Sequence, residues 1–423
     1  MIIREYAKCD SCNTVTILRL GIGTQDEQNF EYICENCNQE ITGKLSLNQK
    51  EAKVVSLNLY GATLVDETDS RYIVTIHPDF PNISNQEDTF SPFISAAERH
   101  QSDFTNRLIQ MAIWKKIIDN DAKNLKRIYK NYRQMKWEFF IKDVREYIPR
   151  DWPLERQIDK NRALYQILEL CLMPIATSQN HVELIDNLTE FLLERKKIQF
   201  LDLINYLEKN KILEDIQDRA FKFTFQFFTL SKEMSSVIVE WDPQKPEARF
   251  PPDLVVPEKQ SFDRIKSFYI DGYELVADSL TIILGLINLK HRGNFNSFAE
   301  HPKINKGKPF AKNLSDFMQK MNAGKLDLLF EEEKFEYWIN SAMDPIIRNA
   351  IGHNDFIFDE KSEIIRYPMD KNKSQFCTIA YGDFLFTCIR ILVQVHQINH
   401  LIKMLYVHLF LSKNKKEINN DEA

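Results

Sequence analysis

Three polar side chains near the end of the sequence have the chemistry needed to cut RNA. They are Arg348, Asn349 and His353, within residues 346–353. An imidazole exchanges a proton near neutral pH, and a guanidinium can hold a phosphate through two parallel hydrogen bonds. Because the neighbouring 2′-OH of RNA supplies the nucleophile, an acid or base and a fixed cation suffice for cleavage. Asn349 could orient either the imidazole or the phosphate.

A short helix is expected to position these side chains. Asp344 followed by Pro345 is typical of an N-cap and a first helical residue. We therefore predict a helix over residues 345–351 that is ended by Gly352. Four apolar residues should pack inward and form its base: Ile346, Ile347, Ala350 and Ile351.

The helical spacing brings the polar groups to one side of this segment. Asn349 and His353 are four residues apart and share a face, with Arg348 beside it. The same arginine-to-histidine spacing occurs elsewhere, at Arg71 with His77 and at Arg390 with His396. The first of these pairs lies in a strand-like stretch, and the second lies in an apolar helix where both side chains suit a core or an interface.

Four cysteines near the N-terminus have the spacing of a metal site. They form two Cys-x-x-Cys pairs, Cys9 with Cys12 and Cys34 with Cys37. Four thiolates complete a tetrahedral zinc at about 2.3 Å and leave no open coordination position. We therefore predict a zinc ribbon with a structural Zn²⁺. A redox dithiol would need only one Cys-x-x-Cys pair, whereas this sequence has two. Its binding partner stays open among nucleic acid, a protein and the neighbouring domain.

The bulk composition restricts the class of protein. A chain of 423 residues is long enough for two or three domains. A net charge of −6 excludes a generally basic nucleic-acid coat, so any RNA contact must be a local patch. The sequence starts without a secretory signal, and its longest apolar run is too short to cross a bilayer. We expect a cytoplasmic protein with no membrane contact.

One predicted helix has a basic face that could hold an RNA backbone. Apolar residues recur every three or four positions between residues 125 and 139, as in an amphipathic helix. The opposite face carries Lys123, Lys126, Arg127, Lys130, Arg133 and Lys136. These six residues are the candidates for phosphate binding. A solvated helix face would explain the same pattern equally well.

Periodicity and proline content divide the chain into six parts. Five of the fifteen prolines fall within residues 241–260, where neither a helix nor an inner strand can persist. The predicted parts are a zinc ribbon at 1–45, a β-containing connector at 46–95, a helical domain at 96–240, a Pro-rich linker at 241–260, a helical bundle at 261–412 and a charged tail at 413–423.

The C-terminal part is expected to be a helical bundle with a small β-hairpin. A long apolar helix is predicted from residue 262 to 290, closed by Gly293. Residues 356–358 and 363–367 are predicted to form the hairpin. The final helix is predicted over residues 383–411. It contains His396, His400 and His408, which could bind a metal but more simply suit a core or an interface.

The segment Arg348-Asn349-Ala350-Ile351-Gly352-His353 resembles the Arg-x(4–6)-His signature of the HEPN superfamily (higher eukaryotes and prokaryotes nucleotide-binding domains). A polar residue often follows the arginine in that signature. The resemblance covers about residues 261–412. HEPN domains are helical bundles, usually dimeric, and many are metal-independent ribonucleases. The resemblance implies that Arg348 and His353 are the catalytic pair, that Asn349 supports them, and that two motifs meet across a homodimer of the C-terminal domain.

The resemblance also implies a biological role. Cleavage of an RNA substrate by 2′-OH attack, with no catalytic cofactor, would leave a cyclic or 3′-phosphate end. Many members act as toxins or in anti-phage defence, so a phage-derived trigger or an inhibitory partner would control the enzyme. Others have lost activity. The alternative is therefore an inactive HEPN-type module that binds nucleotides or a protein within a regulatory zinc-ribbon protein.

Overall fold

The computed structural model describes residues 2–48, 53–83, 91–176, 179–259, 261–300, 307–370 and 372–421. The chain is mainly helical, and its N-terminal region is built from strands. The strands are β1 (Ile2–Cys9), β2 (Val15–Gly21), β3 (Glu27–Ile33), β4 (Glu40–Asn48), β5 (Lys53–Tyr60), β6 (Ala62–Val65), β7 (Tyr72–Ile76), β8 (Asn82–Ile83), β9 (Leu254–Val255), β10 (Ile357–Asp359), β11 (Ile364–Pro368) and β12 (Phe376–Ala380).

The helices fill most of the remaining chain. They are α1 (Pro92–His100), α2 (Phe104–Lys116), α3 (Ala122–Arg133), α4 (Trp137–Val144), α5 (Gln157–Leu172), α6 (Gln179–Arg195), α7 (Lys197–Lys209), α8 (Ile212–Leu230), α9 (Ser235–Ile238), α10 (Phe262–Arg292), α11 (Leu314–Met318), α12 (Asn322–Leu326), α13 (Glu333–Asn340), α14 (Pro345–Gly352) and α15 (Tyr381–Asp421). A π-helical turn, Ile117–Asp121, joins α2 to α3. Within the part of the chain that the structure describes, no helix has the length and apolar character needed to cross a membrane.

Residues 2–83 form a β unit with two main sheets. One sheet has the order β6-β1-β2-β7, in which β2 and β7 are parallel, and the other has the order β3-β4-β5. Strand β4 alternates buried and half-buried residues along its whole length, as expected for a strand with one face on a core. The predicted boundary at residue 45 falls inside β4. The strands of the predicted connector pair with those of the predicted ribbon, so the two ranges form one β unit.

Most of the helices share one hydrophobic core that extends, among the described residues, from Trp114 to Leu409, while α1 packs in a smaller cluster with Phe80 and Val239. Helices α10 and α15 lie at the centre of the larger core, and α5 and α8 pack against them. Gly272 of α10 allows α8 and α15 to approach closely, because a Cβ there would lie 2.4 Å from Ile391 and 2.6 Å from Phe223. The predicted domains 96–240 and 261–412 are therefore packed around one core, which we call the helical body.

The proline-rich segment is a packed strap across the helical body. Trp241, Phe250 and Val256 are buried in the core, and β9 pairs with β8 of the β unit. Arg390 of α15 donates hydrogen bonds to two carbonyl groups of the strap. The prediction of a linker at residues 241–260 is therefore wrong. Proline disfavours helices and inner strands, but burial of the apolar side chains between the prolines still stabilises the folded chain.

The predicted boundaries near the C-terminus are partly correct. Helix α10 ends where expected, with Gly293 in the left-handed conformation at φ +70°. Strands β10 and β11 pair as the predicted hairpin, but β12 adds a third strand that the sequence analysis missed. Helix α15 runs to Asp421, so described residues of the predicted tail at 413–423 continue the helix.

Candidate functional site

Helix α14 begins with the predicted cap. The Asp344 side chain accepts hydrogen bonds from the backbone N–H groups of Ile346 (2.7 Å) and Ile347 (3.3 Å), and Pro345 is the first helical residue. This satisfies two of the donors that a helix start leaves free, and it confirms the predicted N-cap. The Tyr269 hydroxyl donates to the Asp344 carbonyl at 3.3 Å, which ties the cap to α10.

The helix ends differently from the prediction. Gly352 remains helical, His353 is the C-cap, and Asn354 takes the left-handed conformation at φ +60°. The Asp355 N–H then donates to the Ala350 carbonyl at 2.8 Å. Asparagine is the commonest residue after glycine in this role, so it replaces the predicted glycine stop.

Three of the four apolar residues predicted to face inward do so. Ile347, Ala350 and Ile351 are buried against the helical body, where α14 packs on α10 and β11. Ile346 is exposed, which contradicts its predicted inward position. The buried side of α14 holds the opposite, polar side in a defined orientation.

Arg348 is held by a carboxylate from the centre of α10. Its Nε lies 2.8 Å from Glu274 Oε1, and its Nη2 also donates to that oxygen. The other oxygen of Glu274 accepts from Asn322 Nδ2 at 2.5 Å. The sequence analysis missed Glu274. No local pattern distinguishes it, because α10 also carries Asp263, Asp271 and Asp278.

Asn349 and His353 lie on the exposed side of α14. The Asn349 side-chain oxygen accepts from Arg348 Nη1 at 3.2 Å, so Asn349 orients the guanidinium in this structure. His353 is exposed. Its ring forms no hydrogen bond with any other residue that the structure describes, while its backbone N–H donates to the Asn349 carbonyl at 3.0 Å. The imidazole is therefore accessible to a ligand.

A second cation lies next to this site. Lys266 of α10 donates to the Asn354 side chain at 3.3 Å and lies 5.1 Å from the centre of the Phe356 ring. It also forms an ion pair with Asp263 at 2.8 Å. Both cations near His353, Lys266 and Arg348, are thus paired with carboxylates. An incoming phosphate must share or displace these carboxylates to be bound.

The four cysteines of the β unit come together as predicted. The sulfur atoms of Cys9, Cys12, Cys34 and Cys37 all lie within 4.8 Å of one another. Two of the separations are 3.7 Å (Cys9 to Cys37) and 3.6 Å (Cys12 to Cys34). Ligands at about 2.3 Å from one tetrahedral ion are about 3.8 Å apart, so these sulfurs fit one metal ion.

Two matching turns present the cysteines. The Cys9 carbonyl accepts from the Asn13 N–H, and the Cys34 carbonyl accepts from the Asn38 N–H, both at 2.9 Å. Each asparagine has a left-handed backbone, with φ near +60°. A hydrogen bond with Thr14 lowers the pKa of Cys12 to about 6, which favours the thiolate that binds a metal. The sequence repeat Cys-x-x-Cys-Asn was the signal for both turns.

The basic face of α3 is only partly free. Arg127 pairs with Asp143 at 3.0 Å, and Arg133 pairs with Glu214 at 2.6 Å. The four lysines of the predicted set are exposed: Lys123, Lys126, Lys130 and Lys136. The lysines could contact a phosphate backbone, whereas the two arginines brace α3 against α4 and α8.

The other arginine–histidine pairs and the histidines of α15 are placed to stabilise the fold. Burial lowers the pKa of His396 and of His77 to about 4. His400 lies 2.8 Å from Asp186, and Arg390 holds the strap. Within the described ranges, the four cysteines are the group of three or more side chains that could hold a metal ion, so α15 offers no such cluster there.

The two candidate sites therefore belong to different parts of the molecule. The cysteine cluster lies in the β unit and could hold a metal ion. The site of Arg348, Asn349 and His353, with Glu274 beside it, lies on the helical body and presents a cation and an accessible imidazole. In comparisons with known proteins, no family model, no curated protein and no solved structure matches this chain.

Proposed function

We propose that this chain is a metal-independent endoribonuclease of the HEPN type. The observation that carries the proposal is the geometry of α14, which is capped at both ends and presents His353 to solvent beside a fixed Arg348. Arg348 stabilises negative charge on the scissile phosphate. His353 moves the proton at the 2′-oxygen or at the leaving 5′-oxygen.

The proposed reaction uses only the RNA and these side chains. The 2′-oxygen forms a bond to phosphorus, the bond from phosphorus to the 5′-oxygen breaks, and the products are a 2′,3′-cyclic phosphate and a 5′-hydroxyl. The proton lost from the 2′-OH equals the one gained by the leaving oxygen, so no oxidant or metal is needed. Hydrolysis of the cyclic ester would give a 3′-phosphate.

A homodimer completes the proposed site. The chain contains one Arg-Asn-x-x-x-His motif, and a single copy supplies one imidazole for two proton transfers. Two chains that pair through their helical bodies would place two motifs at one cleft. Glu274 belongs to this site as a positioning residue, because it holds the Arg348 guanidinium through two hydrogen bonds to one oxygen.

The remaining parts have supporting roles in the proposal. The cysteine cluster holds a structural Zn²⁺ that takes no part in catalysis, because four thiolates fill its coordination sphere. The exposed lysines of α3, together with Lys136 before α4, guide the RNA backbone. The chain acts as a toxin or an anti-phage effector, and the β unit and helices α1–α8 keep it inactive until a trigger or the loss of an inhibitory partner releases it.

One observation favours a second candidate, an inactive binding module. The charge of Arg348 is neutralised by Glu274, so free phosphate binds there less readily than at an unpaired arginine. A module that binds nucleotides or a protein would tolerate this arrangement without any catalysis. The two candidates differ in whether His353 is needed for RNA cleavage.

The test compares the wild type with Arg348→Ala and His353→Ala on total RNA and on tRNA. With EDTA present and the zinc content of the protein verified, the wild type should cleave and leave cyclic or 3′-phosphate ends. Each variant should be slower by a factor on the order of 10² or more. His291→Ala, which removes an exposed histidine of α10, is the matched control and should cleave like the wild type.

Two outcomes would reject the nuclease. The first is equal cleavage by the wild type and His353→Ala, which would indicate a contaminant. The second outcome combines two negative results. No protein cleaves RNA in vitro, and expression of the proteins under phage challenge causes no growth arrest that depends on His353. Retained RNA or nucleotide binding in that second case would support the binding module.

A further inference from the structure

A cavity of about 1060 Å³ lies in the helical body, where the strap, α2, α13 and α15 meet. It is large enough for a ligand of several linked groups. A neighbouring cavity of about 630 Å³ shares Arg390 with it and reaches Asp344 and Ile347 of α14. Arg348 and His353 line neither cavity, so this is a separate site, and the inference below does not rest on the proposed nuclease.

Gln394 offers a hydrogen-bond acceptor to this cavity. Its side chain is buried, with 2% exposed, and its amide nitrogen donates to the carbonyls of Trp338 (2.7 Å) and Ile339 (2.9 Å). The amide oxygen is almost fully buried and has no hydrogen-bond partner among the described residues, and Gln394 lines the cavity. A buried acceptor without a donor is costly, and it calls for an N–H group from a ligand.

Arg390 offers a positive charge one helical turn away. Its guanidinium donates to the carbonyls of Pro246 (2.7 Å) and Ala248 (2.6 Å) and to the Thr387 hydroxyl (3.3 Å). An arginine has five N–H groups, so two remain. Of the residues that the structure describes, no carboxylate forms an ion pair with Arg390. The groups that accept its hydrogen bonds are neutral, although Asp383, Glu247 and Arg249 lie close enough to act on its charge. Its remaining N–H groups are suited to a ligand anion with two oxygen atoms.

The charged residues that line the cavity limit the charge of that anion. They are three carboxylates, Asp103, Asp242 and Glu247, and two arginines, Arg107 and Arg390, of which Arg107 is paired with Asp103. A phosphomonoester carries a charge of about −1.5 to −2 at neutral pH and would be repelled more strongly than a singly charged carboxylate. If an anion binds on Arg390, the lining therefore disfavours a dianion more than a monoanion.

The spacing on α15 links the two interactions. Residues 390 and 394 are four apart and lie on one face of the helix, so an anion and an N–H donor about 6 Å apart in one ligand could satisfy both. A peptide C-terminus has this pair, with the carboxylate at the end and backbone N–H groups close behind it. Trp241, Tyr337 and Trp338 line the cavity and could pack against the last side chains.

We propose that this cavity binds the free C-terminus of a peptide, with the carboxylate on Arg390 and a backbone N–H on Gln394. The ligand class is thus the free carboxyl end of a polypeptide, recognised by its carboxylate and by the backbone N–H groups that precede it.

Equilibrium dialysis against defined peptide pools tests the proposal. One pool contains N-acetyl tripeptides with a free carboxylate, and the other contains the same tripeptides as C-terminal amides. The full chain should retain at least one acid at least about tenfold more than its amide, as measured by mass spectrometry. Arg390→Gln should lose that retention, because it removes the charge and the paired donors.

A second variant protects the test against misfolding. Val393 is buried at the cavity wall, and Val393→Phe should fill the space without removing a hydrogen bond. It should abolish retention while the melting temperature stays near that of the wild type. Arg195→Gln, at an exposed arginine on α6, is the matched control and should retain the peptides.

Three results would overturn the proposal. These are equal retention of the acid and amide pools, unchanged retention in both Arg390→Gln and Val393→Phe, and no retention at millimolar peptide. A third dialysis arm with AMP, GMP, CMP and UMP checks the ligand class. Binding of a nucleoside monophosphate that depends on Arg390, with no binding of the peptide acids, would also reject a peptide C-terminus.

Discussion

The guanidinium of Arg348 forms an ion pair with Glu274 at the surface of the helical body. Each of the two side chains is 29% exposed, so water weakens the attraction but does not remove it. Asn349 holds the third side of the guanidinium, and Asn322 holds the second oxygen of Glu274. This network sets the direction of Arg348, while His353 remains accessible on the same short helix.

At the residue scale we predict that Glu274→Gln lowers RNA cleavage at least about tenfold. The amide accepts more weakly than the carboxylate, so Arg348 would lose its fixed direction. The double variant with Arg348→Ala should be no slower than Arg348→Ala alone, because the two residues act as one unit. Asp271→Asn, at an exposed carboxylate of the same helix, is the control. Faster cleavage by Glu274→Gln would show that Glu274 restrains Arg348 instead of positioning it.

At the scale of elements, a buried cluster of charges joins the β unit to the helical body. Lys259 of the strap lies 2.9 Å from Glu363, just before β11, and 3.8 Å from Glu31 of β3. Burial raises the pKa of Glu31 to about 8 and raises that of Glu363 as well. Lys361 also donates to Asn38 in a cysteine turn at 2.6 Å. One lysine therefore faces two carboxylates that burial makes harder to ionise.

The cluster predicts a loss of stability as pH rises. The pKa of Glu31 is higher in the folded chain than the value of 4.5 expected when unfolded. The folded state therefore binds more protons, and its stabilisation is complete below pH 4.5 and lost as pH rises through about 8. Glu31→Gln should reduce the fall in unfolding free energy between pH 5 and pH 8.5 by roughly 1–3 kcal/mol, measured by urea titration. Glu27→Gln, at an exposed residue of β3, should leave the slope unchanged.

The cysteine turns connect the two main sheets of the β unit. Cys9 ends β1 and Cys12 lies in the turn to β2, and Cys34 and Cys37 lie between β3 and β4. The apolar core of this unit is small compared with that of the helical body. A metal ion held by both turns would therefore contribute much of its stability.

Removal of the metal should unfold the β unit and leave the helical body folded. Chelation, or Cys12→Ser with Cys37→Ser, should expose residues 2–83 to proteolysis while the helical circular dichroism persists. Metal analysis should find one zinc for each wild-type chain. Cys377→Ala, outside the cluster, serves as the control. Unchanged protease resistance after complete loss of zinc would contradict a structural role.

At the scale of the whole molecule, the helices from residue 104 onward form one packed body. Phe223 of α8 and Ile391 of α15 both contact Gly272 of α10, so helices far apart in the chain meet at a residue without a side chain. The strap adds Trp241 and Phe250 to the same core. We infer that the helical body unfolds as one cooperative unit.

The test is Gly272→Ala. Its Cβ would lie 2.4 Å from Ile391 and 2.6 Å from Phe223, so these side chains, or the helices that carry them, must shift. The unfolding free energy should fall by about 1–3 kcal/mol in a single helical transition that shifts as a whole. Ser267→Ala, at an exposed position of α10, should change it by less than about 0.5 kcal/mol. Two helical transitions, with only one shifted, would indicate two independent domains.

The sequence by itself determined the features that depend on neighbouring residues. The N-cap at Asp344 and the glycine that ends α10 follow from interactions within one turn of a helix. The two cysteine turns and the long apolar helices also follow from local spacing. For these features, residue type and separation along the chain already specify the geometry.

Only the tertiary structure decided the features that depend on distant residues. Arg348 and Glu274 are 74 positions apart, and no local pattern links them. The pairing of β6 with β1 and of β7 with β2, the third strand β12 and the burial of the strap likewise arise from contacts between elements after they have folded. Apolar burial and ion pairing act through space, so the partner of each group became apparent only once the helices and sheets were packed together.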